Sequence, residues 1–226
     1  MPGVAAQAGD RSHSSGPARR PGLVTAAAWA VLLLGLALWG RDLREGDGGG
    51  AVSDGAAAAQ VLRDGPPAAR PLPGSVPAGV AVPSVGVEGP VISRGLDGDG
   101  AVAAPPFGNA NEIGWYRGGA RPGAAGVAVF VGHMDTRARP AVFYRLGDVR
   151  PGEEVTVTRA DGRTAVFTVE RVETVAKDDF DAQRVYGQHK RGRAEIRLLT
   201  CGGAYESTAR SYTGNLVVSG YLTQAQ

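Results

Sequence analysis

The sequence predicts an all-β domain, a sandwich or a closed barrel, carried behind an apolar N-terminal segment and a linker. Three observations lead there. Past residue 76, short Val-rich runs recur, bounded by Gly, Pro and Asp-Gly, the punctuation of many short strands. Asp161-Gly162 separates Glu154–Arg159 from Thr164–Val169, a strong two-residue hairpin signal. Only one short helix, around Ala141–Leu146, can be drawn in the same region. The domain, residues 77–226, has about 150 residues, enough for one proper core.

The elements follow in order. Residues 1–21 are polar and without periodicity, and read as a disordered cytoplasmic tail. Leu23–Gly40 is an uncharged run of 18 residues. As a helix it spans about 27 Å, close to the ~30 Å hydrocarbon core. Trp39 is placed as an interface anchor. Arg11, Arg19 and Arg20 precede the run, and Arg41 and Arg44 follow, a small bias toward a cytoplasmic N-terminus. The sequence therefore predicts an uncleaved transmembrane anchor over 22–40, with the remainder outside the cell. A cleaved signal peptide would have a shorter apolar core and a small-x-small site, where this chain has Trp39-Gly40-Arg41-Asp42. A buried core helix would need a neighbouring domain that the following sequence does not offer. Residues 41–76 are rich in Gly, Ala and Pro and read as a flexible linker, because they cannot bury enough apolar surface to offset chain entropy. Strands are then predicted at Gly79–Pro83, Val91–Ser93, Gly126–Gly132, Glu154–Arg159, Ala165–Val175, Ala194–Cys201 and Leu216–Leu222.

Composition excludes several function classes. The 24 basic and 22 acidic residues leave a net charge of +2, so no general nucleic-acid electrostatics is implied. A single cysteine, Cys201, excludes an intramolecular disulfide framework and a Cys-based structural zinc site.

Three residues carry candidate chemistry. Cys201 closes the strand-like run from Glu195, and Gly202-Gly203 follow, where the chain is expected to turn. A thiol there can face a cleft as a nucleophile, although free cysteines are often small buried apolar residues. His133 closes the run Val127–Gly132, so neighbouring strands would bring it to Cys201 as a base or an ion-pair partner. An isolated histidine is more often simply hydrogen-bonded, and a metal pair of His133 with Asp135 lacks further ligands. His189 reads as a solvated loop residue. Arg210 lies nine residues beyond Cys201, where a guanidinium would meet a developing oxyanion; a surface arginine is the plainer reading.

The order His133…Cys201…Arg210, set in Val131-Gly132-His133-Met134-Asp135 and Leu199-Thr200-Cys201-Gly202-Gly203, resembles the sortases, most closely the class F sortases of actinobacteria. Ile113-Gly114-Trp115-Tyr116, Val185-Tyr186-Gly187 and Arg210-Ser211-Tyr212 with Asn215-Leu216-Val217-Val218 also match. The resemblance covers roughly residues 77–222. It implies an eight-stranded closed β-barrel with one or two short helices, tethered at the outer face of the membrane. It further implies a cysteine transpeptidase that cleaves an LPXTG-like sorting signal of a secreted protein and passes the acyl group to an amine, such as that of a peptidoglycan precursor. Cys201 would be the nucleophile, His133 the general acid and then base, Arg210 the oxyanion partner, and Thr200 a substrate-binding residue. A monomer is expected, with no cofactor, no metal and no nucleic-acid partner. Two positions depart from the pattern. Arg197 stands where the family often has Thr; it shares strand parity with Cys201 and is expected at the cleft rim. Gly214 stands where an acidic residue is usual. The rivals are an L,D-transpeptidase of peptidoglycan, which would have Gly rather than Thr200 before the cysteine, and a catalytically inactive tethered binding domain.

Overall fold

The computed structural model describes residues 65–136, 138–208 and 211–226. The expected tail, the apolar segment 22–40 and linker residues 41–64 lie outside these residues. Among the described residues there are eight strands: β1 (Pro77–Val82), β2 (Val87–Arg94), β3 (Ile113–Tyr116), β4 (Gly126–Val131), β5 (Glu154–Arg159), β6 (Thr164–Ala176), β7 (Ala194–Glu206) and β8 (Ser211–Ala225). They form a closed barrel in the order β1-β2-β3-β4-β7-β8-β6-β5, with β5 pairing back onto β1. Closure leaves no unpaired sheet edge.

The hairpin over Asp161-Gly162 forms as expected, with Glu154–Thr158 opposite Thr168–Thr164 and Gly162 at φ +82°. The strand missing from the sequence reading is β3. Four residues are too few for an alternating pattern to register; the segment is a strand because it lies parallel to β2 and antiparallel to β4. The pair β4/β7 is also parallel. Parallel neighbours cannot be joined by a tight turn, so two long connections leave the barrel, residues 95–112 and the excursion that begins at Gly132.

Burial explains the unbroken apolar runs. Ala128 and Phe130 of β4, Ile196 and Leu198 of β7, and Val218 and Leu222 of β8 fill the barrel interior with Ile113 and Phe167. The intervening Val127, Val129, Val131, Leu199 and Val217 point outward. They are covered by Val102 and by the β6–β7 connection, which supplies Val185, Phe180 and Tyr186. Strands buried on both faces lose the period of two and read as continuous hydrophobic stretches.

Three expectations are corrected. Ala141–Leu146 is not a helix. Its backbone N–H groups at Ala141 and Phe143 are given to Met134 and His133 carbonyls, and the rest closes in tight turns that run into a 3-10 segment at Leu146–Asp148. The α-helix of this domain is α1 (Ala182–Tyr186), capped by the Asp181 carboxylate on Gln183 and Arg184 N–H. With five residues and only Val185 buried, it has no amphipathic stripe to read. The chain also does not turn after Cys201. β7 continues to Glu206, with a register shift between Gly202 and Tyr205. Gly203 takes φ +81° there, and a Cβ would fall 2.4 Å from Thr213 Oγ1, so a bulge replaces the turn. Finally, residues 66–76, read as linker, run along the barrel. Ala69 N–H donates to Leu222 O, Leu72 N–H to Gly123 O and Ala160 N–H to Val76 O.

Candidate active site

Register brings His133 and Cys201 together. Val131 of β4 is the partner of Leu199 on the parallel strand β7, and Gly132 N–H donates to Leu199 O at 3.1 Å. His133 and Cys201 each lie two residues further along. Alternation over two residues preserves the face, so both side chains share the outward face of their strands. They line one cleft of about 990 Å³, together with Phe107, Met134, Asp135, Thr136, Ala138, Lys177, Tyr205, Ser211 and Tyr212. That volume is at the upper end of small-molecule pockets.

The backbone under His133 is fixed from below. Phe143 N–H donates to His133 O at 3.0 Å and Ala141 N–H to Met134 O at 3.0 Å. Gly132 admits this approach: a Cβ there would sit 2.6 Å from the Phe143 ring. The imidazole is half-buried, with Nε2 2.7 Å from Pro105 O and Phe107 stacked on its face.

Cys201 is a free, solvent-exposed thiol. Partial burial in the cleft nevertheless pushes its pKa above the ordinary thiol value; the Lys177 charge opposes this and the Asp135 carboxylate adds to it. Lys177 Nζ donates to Ser211 Oγ at 3.3 Å, tying the end of β6 to the start of β8. Across the cleft, Tyr212 Oη donates to the Asp135 carboxylate, which pushes the phenol up to about 12. Tyr205 packs edge-on against Tyr212.

Thr200 and Arg197 fall outside the cleft. Arg210 lies outside the described residues, although its neighbour Ser211 lines the cleft. Thr200 is on the opposite face of β7 from Cys201; it is buried and its hydroxyl has no partner among the described residues, so its side chain is not available to substrate. Arg197 has the parity expected of it but not the exposure. It is 1% exposed, and its guanidinium donates to Val185 O at 3.2 Å, Gly187 O at 2.9 Å and Glu195 Oε2 at 2.8 Å. It sits under the β6–β7 connection rather than at the cleft rim.

The sequence reading missed Lys177 and the aromatic wall of Phe107 and Tyr205. Lys177 had one signal, being one of only two lysines among 24 basic residues.

A sortase-domain family model matches residues 80–223. The chain belongs to the sortase family. Its barrel is similar to solved sortases. Against Streptococcus agalactiae sortase C1 in complex with MTSET, identity is 19% and the TM-score 0.50, covering 66% of this chain and 69% of the other. For a lid mutant of Corynebacterium diphtheriae sortase A the figures are 18%, 0.51, 68% and 73%. For sortase C-1 from Actinomyces oris they are 19%, 0.50, 65% and 71%. At these identities the likeness concerns the fold. None of the curated proteins matches the chain. Membership makes this sortase a cysteine transpeptidase by family.

Proposed function

We propose that this sortase is of the class F type and works through Cys201, His133 and Arg210 on an LPXTG-like signal of a secreted protein. The observation that carries the reading is the placement of the chain's one thiol and His133 in a single open cleft. The Cys201 thiolate attacks the Thr–Gly carbonyl. Imidazolium at His133 protonates the leaving amine, and the neutral ring then takes a proton from the incoming amine, such as that of a peptidoglycan precursor. Arg210 donates to the carbonyl oxygen as it gains charge, a contribution of about 10²–10³ in kcat for one such donor. The apolar segment 23–40 anchors the domain outside the cell membrane.

The test is mass spectrometry of the chain incubated with a sorting-peptide library. An acyl adduct of mass equal to the peptide up to threonine is expected on Cys201. Cys201→Ala should form none, and His133→Ala should lose about 10²–10⁴ in turnover. An active Cys201→Ala protein would end this reading. For the anchor, full-length protein should pellet with membranes and resist carbonate extraction; release of a shortened chain into the medium would show a cleaved signal instead.

A further inference from the structure

Phe107 leaves 70% of its surface in water, yet its ring lies on His133 with centroids 4.3 Å apart and planes 19° from parallel. Two residues earlier, the Pro105 carbonyl is 2.7 Å from His133 Nε2. A carbonyl oxygen only accepts, so Nε2 is the donor and carries a proton. The neutral ring is then the Nε2–H tautomer, with its lone pair on Nδ1. We propose that Pro105 and Phe107 are positioning residues for His133, holding the imidazole so that Nδ1 is the nitrogen that exchanges protons with the substrate amines. The proposal rests on the reading of His133 as acid and base.

The segment is built to hold such a position. A residue before proline is confined to extended backbone, and Pro106 follows Pro105 at φ −58°. The direction of the Pro105 carbonyl is therefore set with little conformational freedom to lose. The segment is pinned on both sides. Ala103 N–H donates to Gly95 O and Arg94 Nε to Ala103 O; beyond the ring, Asn109 N–H donates to Pro106 O, and Val142 N–H to Ala110 O. The aromatic face covers one side of the imidazole and limits rotation of the ring away from the Pro105 carbonyl.

The proton count closes. As the S–C bond forms and the C–N bond breaks, imidazolium gives its Nδ1 proton to the departing amine and becomes the Nε2–H tautomer. When the second amine attacks and the C–S bond breaks, Nδ1 takes a proton from it, restoring imidazolium and thiolate. Nε2–H stays on Pro105 throughout. Among the described residues, the other titratable groups lining the cleft are Asp135 beyond β4, Lys177 beyond β6, Cys201 and Tyr205 on β7, and Tyr212 on β8.

The experiment is two-bond ¹H–¹⁵N correlation NMR of the full chain in detergent micelles with labelled histidine, assigned with His13→Gln and His189→Gln variants. Kinetics of Phe107→Ala and Phe107→Tyr run alongside. The parent should show the Nε2–H tautomer for neutral His133. Phe107→Ala should show a tautomer mixture, a kcat reduced by up to about 10²-fold with KM little changed, and a displaced pH–rate limb. Phe107→Tyr, which keeps the stacking ring, should restore all three. An Nδ1–H tautomer in the parent, or a Phe107→Ala enzyme with unchanged kcat and pH profile, overturns the proposal. A faster Phe107→Ala enzyme also overturns it, because the segment would then obstruct the site. Turnover by His133→Ala, in contrast, would defeat the acid–base reading without moving the tautomer.

Discussion

Cys201 sits between two opposing charges. Lys177 favours its thiolate, whereas partial burial and Asp135 disfavour it. Only the thiolate reacts, and below the pKa its fraction falls tenfold for each pH unit. Replacing Lys177 with Met removes the attractive charge, so alkylation of Cys201 by iodoacetamide at neutral pH should slow several-fold, its pH midpoint moving up. Asp135→Asn should move the midpoint down and speed labelling. Because the chain has one thiol, the adduct is unambiguous. Equal midpoints in all three proteins would show that neither charge reaches the sulfur. The sequence made His133 and Cys201 legible because each closes an apolar run, and parallel register then places them on one face. Lys177 was not legible: it enters the cleft from beyond β6, far from both in sequence, and nothing local in its surroundings reports that.

The β6–β7 connection shows where strand parity stops being informative. Arg193, just before β7, and Glu195 and Arg197 on it alternate as a solvated face would, and Arg197 shares its face with Cys201. The connection folds down over this stretch instead. Glu195 is buried and accepts from Lys190 N–H at 2.8 Å, His189 N–H at 3.0 Å and Arg197 at 2.8 Å. Arg193 bridges Glu195 and Glu170. Periodicity gives the face of a residue; it does not say how far along that face a covering loop extends. Removing one partner of a buried pair costs about 3–5 kcal/mol when the other charge is left alone; Arg193 still pairs with Glu195, so Arg197→Ala should cost at most about the lower end of that range in denaturant unfolding. A double variant, Arg197→Met with Glu195→Leu, should recover most of that. Burial pushes the Glu195 carboxyl up, but hydrogen bonds from His189, Arg197 and Lys190 outweigh it and hold the pKa below the ordinary 4.5. A depressed carboxyl stabilises the fold fully above its unfolded value and loses that contribution as pH falls toward the folded one. Part of the stability loss below about pH 4.5 should therefore disappear in Glu195→Gln. An acid limb that Glu195→Gln leaves unchanged would assign the loss to other carboxylates.

At the scale of the whole domain, the barrel is closed by its strands and strapped by the chain that precedes them. The strap's composition reads as linker because its apolar residues are few and unpatterned: Ala69 and Leu72 alone pack against the core. What holds it is polar. Tyr221 Oη donates to Pro66 O at 2.7 Å, Asp161 N–H to Ser75 Oγ at 3.2 Å, and Arg159, 2% exposed, donates to Pro73 O at 2.7 Å. Asp161 accepts from the same guanidinium, which holds its carboxyl down at about 2. Prolines 66, 67, 71 and 73 cannot donate backbone hydrogen bonds, but their carbonyls accept, and their fixed φ lowers the entropy lost on docking. Hydropathy patterning is blind to such a segment, since what holds it is a set of hydrogen bonds, given and accepted, to groups scattered along the chain. A protein beginning at residue 65 should consequently be more stable than one beginning at residue 77. Leaving Tyr221 and Arg159 each short of a partner costs about 1–3 kcal/mol per buried group. At about 2–4 °C per kcal/mol for a domain of this size, the shorter protein should melt roughly 4–24 °C lower. Arg159→Ala in the longer protein should close most of that gap, because it removes the anchor while the strap is still present. If both lengths melt together, the strap adds nothing to the barrel and residues 65–76 act as the tether their composition describes.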